Sequence, residues 1–463
     1  MKECSVRSPF DQKVLAMLPY DQEADVEKRV DAAYRLSRKP QSWPKDKRLA
    51  FLQTVASALS KDSEEYAKLI ALEGGKPLQD ARVEAMRAIQ SIQATIAALY
   101  EWHGTEIPMG LSAATSERWA MTKREPRGLV LAISAFNHPL NLIVHQVIPA
   151  LAVGCPVLIK PSSKTPLTCQ RFHQLLVDCG LPAFWCQRLL TEDALTEKLA
   201  ADPRVAVVSF IGSAAVGWTL QRQLARGSIA ILEHGGTAPL VVTEDADLEA
   251  AIPLIVKGGT YHAGQVCVSV QNVFVQRQRL DACREQLIAA LQKLRTGDPM
   301  DPQTDVGPMI QPEAADRVAQ WIDQAVTAGG RLLCGGERLS PGCLRPALVE
   351  GAPSSSSFYK DELFGPGLGL YAYDHLDECV DRINQSRFAF QAAIFTQNMA
   401  KALQFVQQVD ASTVLINDHT AFRADWMPFG GRKESGLGVG GILPSMMELS
   451  REKLVIIKSP YNI

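Results

Sequence analysis

Two segments of the 463-residue chain hold side chains that could do chemistry on a bound molecule: YHAGQVC, ending in Cys267, and ILEHGG, carrying Glu233. A cysteine is most often a small buried hydrophobe. To be a nucleophile its thiol, with an ordinary pKa of about 8.5, needs a base or a positive local field. Gly264 and Gln265 set Cys267 in a tight backbone beside a polar neighbour, whereas Cys155 in GCPV sits inside an apolar strand pattern and reads as core. Glu233 closes an apolar strand and is followed by two glycines. It is either a loop carboxylate or a general base at a strand end where a ligand can come close. His234 is a rival base. FIGSAAVG, residues 210–217, reads as a strand, a turn at Gly212 and Ser213, and a helix start. Backbone N–H groups at such a start suit a pyrophosphate, although the segment lacks the GxGxxG pattern and is weak as a signature by itself. Lys160, at the end of PVLIK, either reaches solvent or holds ribose hydroxyls.

These groups need a scaffold that brings strand ends together. GLVLAIS, PVLIKPS, VAVVSFIGS and IAILEHGG are short apolar runs separated by helical stretches, beginning with Leu140 to Val153. Near-continuous apolar strands between helices imply a parallel sheet covered on both faces, the pattern of a doubly wound nucleotide-binding domain. A second alternating block runs from about Ala238 to Lys433 and holds PLVVTED, VFVQRQ, LRPALVE, AAIFTQ and STVLIND as strands. Gly235-Gly236 marks the junction, so two α/β lobes with a cleft between them are expected. The first hundred residues read as helices, with the run from Lys45 stopped at Gly74-Gly75 and another from Gln79 to about Trp102. GTEIPMGLSAATSERWAMTKREP alternates and reads as a β-hairpin excursion. Ser354 to Ser357 reads as a surface loop.

Composition narrows the function classes. Lys and Arg number 48 against 50 Asp and Glu, for a net charge of -2, which excludes a strongly basic nucleic-acid binder. The hydrophobic fraction of 46% is ample for a core and speaks against disorder. Ten cysteines without a CxxC pair suggest reduced thiols rather than a disulfide scaffold or a zinc ribbon. MKECSVRSPFDQ has no apolar signal core. The longest apolar stretch, Gly128 to Ile159, is cut by Asn137, His138, Pro139, Asn141, His145 and Pro149. A cytoplasmic protein with no membrane partner is expected.

In order, the chain reads EPRGLVLAISAFNHPLN, GCPVLIKPSSKTP, FIGSAAVG, LEHGG, AGQVC, DELFGP and MPFGGRKESGLG. This series resembles the aldehyde dehydrogenase superfamily from about Arg38 to Glu448. The resemblance implies two doubly wound α/β lobes plus a small β oligomerisation element. The dinucleotide-binding domain would take residues 1–103 and 125–236, the catalytic domain 237–433, and the oligomerisation strands 104–124 and 449–463. It implies NAD or NADP as cofactor, a small aldehyde as substrate, and a homodimer or homotetramer. Cys267 matches the nucleophile, Asn137 the oxyanion-hole amide, and Glu233 the base that activates water. On the cofactor side, Lys160 matches the adenosine-ribose lysine and Gly212 and Ser213 the pyrophosphate turn. Glu362 and Phe364 match the nicotinamide-ribose contacts, and Gly236 a point of close approach to the nicotinamide.

Departures from the family pattern bear on specificity. Ser163 stands where strict NAD users carry a glutamate, which removes the repulsion of a 2′-phosphate, and the following Lys164 could add attraction as a cofactor-binding residue, so NADP use is permitted. His234 and Leu240 also depart, with no consequence legible in the sequence. Arg423 and Arg87 fall at tunnel-lining positions. Two converging guanidiniums favour an anionic aldehyde, while the alternative for each is a structural salt bridge. His138 and His419 could add hydrogen bonds. AGQVCVSVQ and NDHTAFR look like the branch of lactaldehyde, phosphonoacetaldehyde and non-phosphorylating glyceraldehyde-3-phosphate dehydrogenases. Asn272 stands where that branch often has Arg, which removes one expected anion contact. A broad-specificity enzyme for neutral aldehydes is the alternative. Glu233 argues against a coenzyme-A-acylating enzyme, and the joint retention of Asn137, Glu233, Cys267 and Glu362 against a non-catalytic protein.

Overall fold

The computed structural model describes residues 2–39 and 42–459. Its first large sheet has six strands in the order Gly436–Leu437, Ile229–Glu233, Val205–Ile211, Leu129–Ile133, Val157–Lys160 and Cys186–Arg188. All neighbours are parallel except Gly436–Leu437, which runs antiparallel to Ile229–Glu233. The five residues of Leu129–Ile133 are all buried, because both faces of the sheet are covered. Alternate residues Val130, Ala132, Val157, Ile159 and Val207 pack with helices Lys45–Lys61, Leu78–Tyr100 and Asn141–Val153. Leu129, Leu131, Leu158 and Val208 pack on the other side with Glu23–Ser37, Asp193–Ala200 and Ala214–Gln223. The side-chain period of two sends each strand's apolar residues to both cores.

The second sheet has seven strands in the order Arg331–Cys334, Ala347–Glu350, Gly367–Tyr373, Asn272–Gln276, Leu240–Val242, Gln391–Phe395 and Thr413–Ile416. Only Arg331–Cys334 is antiparallel to its neighbour. A third, antiparallel sheet joins Ser450–Lys458, Arg118–Pro126 and Glu106–Ile107. The hairpin excursion is thus a strand pair closed by the last described segment of the chain; residues 460–463 of the expected C-terminal strand lie outside the described residues. Among the described residues no helix is long and apolar enough to cross a membrane.

Three features differ from the sequence expectation. The N-terminal segment is not helical throughout, since Glu3–Arg7 pairs antiparallel with Val14–Pro19. The helical run from Lys45 is broken at Asp62, whose ψ of 7° leaves the helix and starts Ser63–Gly74; Gly75, with φ 72°, then ends it as a left-handed cap. The chain also returns to the first sheet after Lys433, because Gly436 and Leu437 pair with Glu233 and Leu232.

One buried ion pair supports the loop that carries Asn137. Lys76 and Glu84 are both fully buried and pair with each other. The second oxygen of Glu84 accepts the backbone N–H groups of Leu140 (2.9 Å) and Asn141 (3.2 Å) at the start of helix Asn141–Val153. Those are donors that the helix itself cannot satisfy. Glu84→Ala would leave the Lys76 ammonium buried without its counter-charge and the helix start uncapped, at a cost of about 3–5 kcal/mol. Urea unfolding is expected to show this as a large drop in midpoint, whereas Glu64→Ala, which breaks an exposed pair with Arg82, should shift it by less than about 1 kcal/mol.

Candidate active site

A cavity of about 520 Å³ runs past the carboxyl ends of the first sheet's strands and is closed on the far side by residues of the second block. Asn137, Glu233 and Cys267 all line it, as do Lys160, Ser163, Gly212, Ser213, Glu362 and Phe364, and Arg87, His138 and Arg423.

Cys267 is placed by an unusual turn. His262, Ala263 and Gly264 all have positive φ, at 49°, 54° and 68°. Gly264 is required there, because a Cβ would lie 2.2 Å from the carbonyl oxygen of Gly365. Gln265 holds the turn from within: its Nε2 donates to the carbonyls of His262 (3.2 Å) and Pro308 (3.3 Å), and its Oε1 accepts from the Ile310 N–H (2.8 Å). Its own carbonyl accepts a hydrogen bond from Asn137 Nδ2 at 2.9 Å. One N–H of the Asn137 amide is thereby fixed, which leaves its second N–H as a donor in the cavity.

Glu233 is the last residue of its strand. Its carboxylate lies where a Cβ on Gly440 would come within 2.1 Å of Oε1, so Gly440 makes room for it. Burial raises the Glu233 pKa and the Arg423 charge opposes that rise. Burial also pushes the Cys267 thiol up to about 12; the charges of Glu233 and Glu362 add to the rise, and Arg423 again opposes it. Cys267 therefore rests as a thiol, and any reaction through its sulfur needs an acceptor for the proton.

The two arginines differ. Arg87 Nε and Nη2 bond the two carboxylate oxygens of Asp425 at 2.9 and 2.8 Å. Asp425 also meets His145 Nε2 at 2.8 Å and Asn141 Nδ2 at 3.0 Å, and its partners hold its pKa below the usual carboxylate range. Arg87 lines the cavity, but its charge is balanced. Arg423 lies with its guanidinium carbon 3.6 Å from the Phe429 ring centroid, and its buried Nε has no hydrogen-bond partner. Among the described residues no carboxylate comes within ion-pair distance of it. His138 lines the cavity with an imidazole that burial keeps neutral. His419 packs over Gly258 away from the cavity, so it is not placed to bond a substrate there. Asn272 faces a different recess and donates to the Tyr359 carbonyl at 3.0 Å. The missing arginine at that position therefore removes no contact from the catalytic cavity.

The cofactor-side residues sit at the strand ends. Lys160 is mostly buried, with Asp193 at 3.7 Å. Ser213 precedes helix Ala214–Gln223, whose N-terminus opens on the cavity. Glu362 is raised to about 8 by burial, with Arg317 opposing. A Cβ on Gly235 would fall 1.5 Å from Glu362 Oε1, while Gly236 has ordinary contacts of 3.6–3.7 Å with Phe388, Ser435 and Phe390. Gly235, rather than Gly236, is the glycine at the cavity wall. Lys164 is exposed and lines a separate recess with Arg7. A helix N-terminus, a buried lysine and a buried carboxylate without a hydrogen-bond donor, strung along one cleft, fit a dinucleotide with its diphosphate at the helix start. Sequence reasoning missed Asp425, Phe429 and Arg317. The first two lie two and six residues after Arg423 in the chain, and Arg317 has no local signal.

Fold and site together define a two-lobed α/β protein whose cleft brings a cysteine, a carboxylate and a side-chain amide together. Residues 1–455 match the aldehyde dehydrogenase family. The lactaldehyde dehydrogenase of Methanocaldococcus jannaschii is 33% identical over 98% of this chain and 97% of its own length. The structure of aldehyde dehydrogenase 21 from Physcomitrella patens, with its reaction product succinate, superposes with a TM-score of 0.96 at 32% identity, covering 99% of this chain and 95% of that one. That of glyceraldehyde-3-phosphate dehydrogenase GapN from M. jannaschii, complexed with NADP, superposes with a TM-score of 0.95 at 32% identity, covering 99% of this chain and all of that one. The chain belongs to the aldehyde dehydrogenase family and is an oxidoreductase of that family.

Because burial holds Cys267 as a thiol, the ionised fraction grows as pH rises. We expect kcat/KM for aldehyde oxidation to climb through the neutral and alkaline range. Arg423→Leu removes the cation that favours the thiolate, so its rising limb should lie at higher pH than wild type. A pH–rate profile of both proteins checks the direction.

Proposed function

We propose that the enzyme oxidises a small anionic aldehyde to its carboxylic acid with NAD or NADP. The observation that carries the substrate charge is Arg423, a cavity guanidinium without a carboxylate partner beside the nucleophile and the base. A substrate carboxylate, phosphate or phosphonate would supply the partner that the protein does not. The succinate complex and the glyceraldehyde-3-phosphate enzyme among the similar structures support an anion. The lactaldehyde name of the M. jannaschii relative supports the alternative, a neutral short aldehyde.

Cys267 Sγ attacks the aldehyde carbon as its proton passes to the Glu233 carboxylate. The oxygen charge of the adduct is met by the free N–H of Asn137 and the backbone N–H of Cys267. NAD or NADP, when bound, accepts the hydride whose loss converts this adduct into a thioester on Cys267. Once Glu233 has released that proton to solvent, it takes a proton from water, which attacks the thioester; the acid leaves, and the proton passes from Glu233 to the departing Cys267 sulfur to restore the thiol. Lys160 and Ser163 would hold the adenosine ribose, Gly212 and Ser213 the diphosphate, and Glu362 and Phe364 the nicotinamide ribose and ring. Serine at 163 leaves room for a 2′-phosphate, and the NADP complex of a similar enzyme supports its use. We assign residues 1–103 and 125–236 to cofactor binding, 237–433 to catalysis, and the antiparallel sheet to oligomerisation, with a cytoplasmic location.

Cys267→Ala should abolish oxidation while retaining cofactor binding. Glu233→Gln should give a burst of NAD(P)H followed by slow turnover. Arg423→Leu should lower kcat/KM for a charged short aldehyde about ten- to hundredfold more than for an equally long neutral one, which loses only what the shift in the thiol costs. Equal kcat/KM for the charged and neutral pair on wild type would leave the neutral-aldehyde reading.

Ser450–Lys458 is an edge strand with Leu454 and Ile456 each 54% exposed. The exposed apolar run at residues 454–457 on this edge calls for a partner. Light scattering is expected to show a dimer or tetramer at micromolar concentration, and Ile456→Lys should shift it towards monomer.

A further inference from the structure

His234 follows the general base directly, is 1% exposed, and has no role in the reaction just described. Its Nδ1 lies 2.9 Å from the carbonyl oxygen of Gly212. A carbonyl only accepts, so the proton sits on Nδ1. The Nε2 is buried without a partner. The ring fills a slot between Phe210 and Trp218, with centroids 5.8 and 5.9 Å away. Its third wall is Gly217, in the first turn of helix Ala214–Gln223, where a Cβ would lie 1.9 Å from Cε1. Burial holds the imidazole in its neutral form.

The same glycine is held from its other side. The Gly212 N–H donates to the carbonyl of Glu233 at 3.1 Å. Both polar groups of Gly212 are therefore bonded to residues 233 and 234. That strand end is itself anchored: His234 N–H donates to the Ser435 carbonyl (3.0 Å) and Ser435 Oγ to the Gly235 carbonyl (2.8 Å). Gly212 is a residue that would otherwise be free to rotate, and it begins the turn whose N–H groups open on the cavity.

We propose that His234 is a positioning residue for the cofactor: its Nδ1–H fixes the Gly212 peptide and so aims the N–H groups of the following turn at the diphosphate. This rests on the reading that the cofactor's diphosphate lies at Gly212 and Ser213. Asparagine places an amide nitrogen close to where the Nδ1 of histidine stands; leucine places no donor there.

The test compares wild type, His234→Leu and His234→Asn by NADPH fluorescence titration, by KM for NADP and by kcat at saturating cofactor. A neutral hydrogen bond lost from the turn should raise the NADPH Kd and the cofactor KM of His234→Leu about three- to tenfold, with kcat within about twofold of wild type. His234→Asn should restore most of the binding. If the leucine protein fails to fold by circular dichroism, His234→Met takes its place as the variant without a donor. Equal Kd values in wild type and the leucine or methionine variant would overturn the proposal. So would equal weakening in the donor-free and asparagine variants, which would mean that the ring acts by its volume alone. No NADPH or NADH binding by wild type would instead overturn the cofactor reading on which the proposal rests.

Discussion

A thiol and two carboxylates half-buried along one cleft, faced by the unpaired guanidinium of Arg423, set the terms for the rest of the molecule. Burial raises Cys267, Glu233 and Glu362 together, so none of them carries its charge readily. Each group must then depend on position rather than on solvent. Asn137 is held by the Gln265 carbonyl, Gln265 by three further backbone groups, and the Asn137 loop by the Glu84–Lys76 pair beneath it.

The two-sheet plan serves this constraint. Parallel strands deliver their carboxyl ends to one side, and with them Lys160 and Glu233. The second block supplies Cys267, Glu362 and Arg423 from three separate segments of a part of the chain that folds onto different cores. Asp425 stitches these blocks where they meet, reaching Arg87 and His145 on two helices of the first.

Much of this was legible in the sequence because it is local. Apolar runs such as LVLAI and VLIK mark buried parallel strands, and the motifs around Asn137, Glu233, Cys267 and Glu362 each carry their own glycines or prolines. What was not legible is pairing. That Arg87 is balanced and Arg423 is not depends on Asp425, 338 residues from Arg87 in the chain. That Gly235 and not Gly236 faces the cavity depends on where Glu362 lands, and that Asn272 leaves the cavity depends on the register of its strand. The N-terminal hairpin escaped because its strands of five and six residues are short and only half buried.

The turn before Cys267 has a bearing on how the enzyme comes into being. Three consecutive residues in the left-handed region, two of them not glycine, are disfavoured in an isolated peptide. They persist because Gln265 is bonded to residues 43 and 45 positions further on and Asn137 to Gln265 across 128 positions. Contacts of such separation close late, since the chain entropy of the intervening loops must be given up first. On that ground the turn that sets Cys267 is expected to form only once the two cores dock. A chain without these distant contacts keeps the thiol but loses the geometry around it, so activity is expected to return later than secondary structure on refolding.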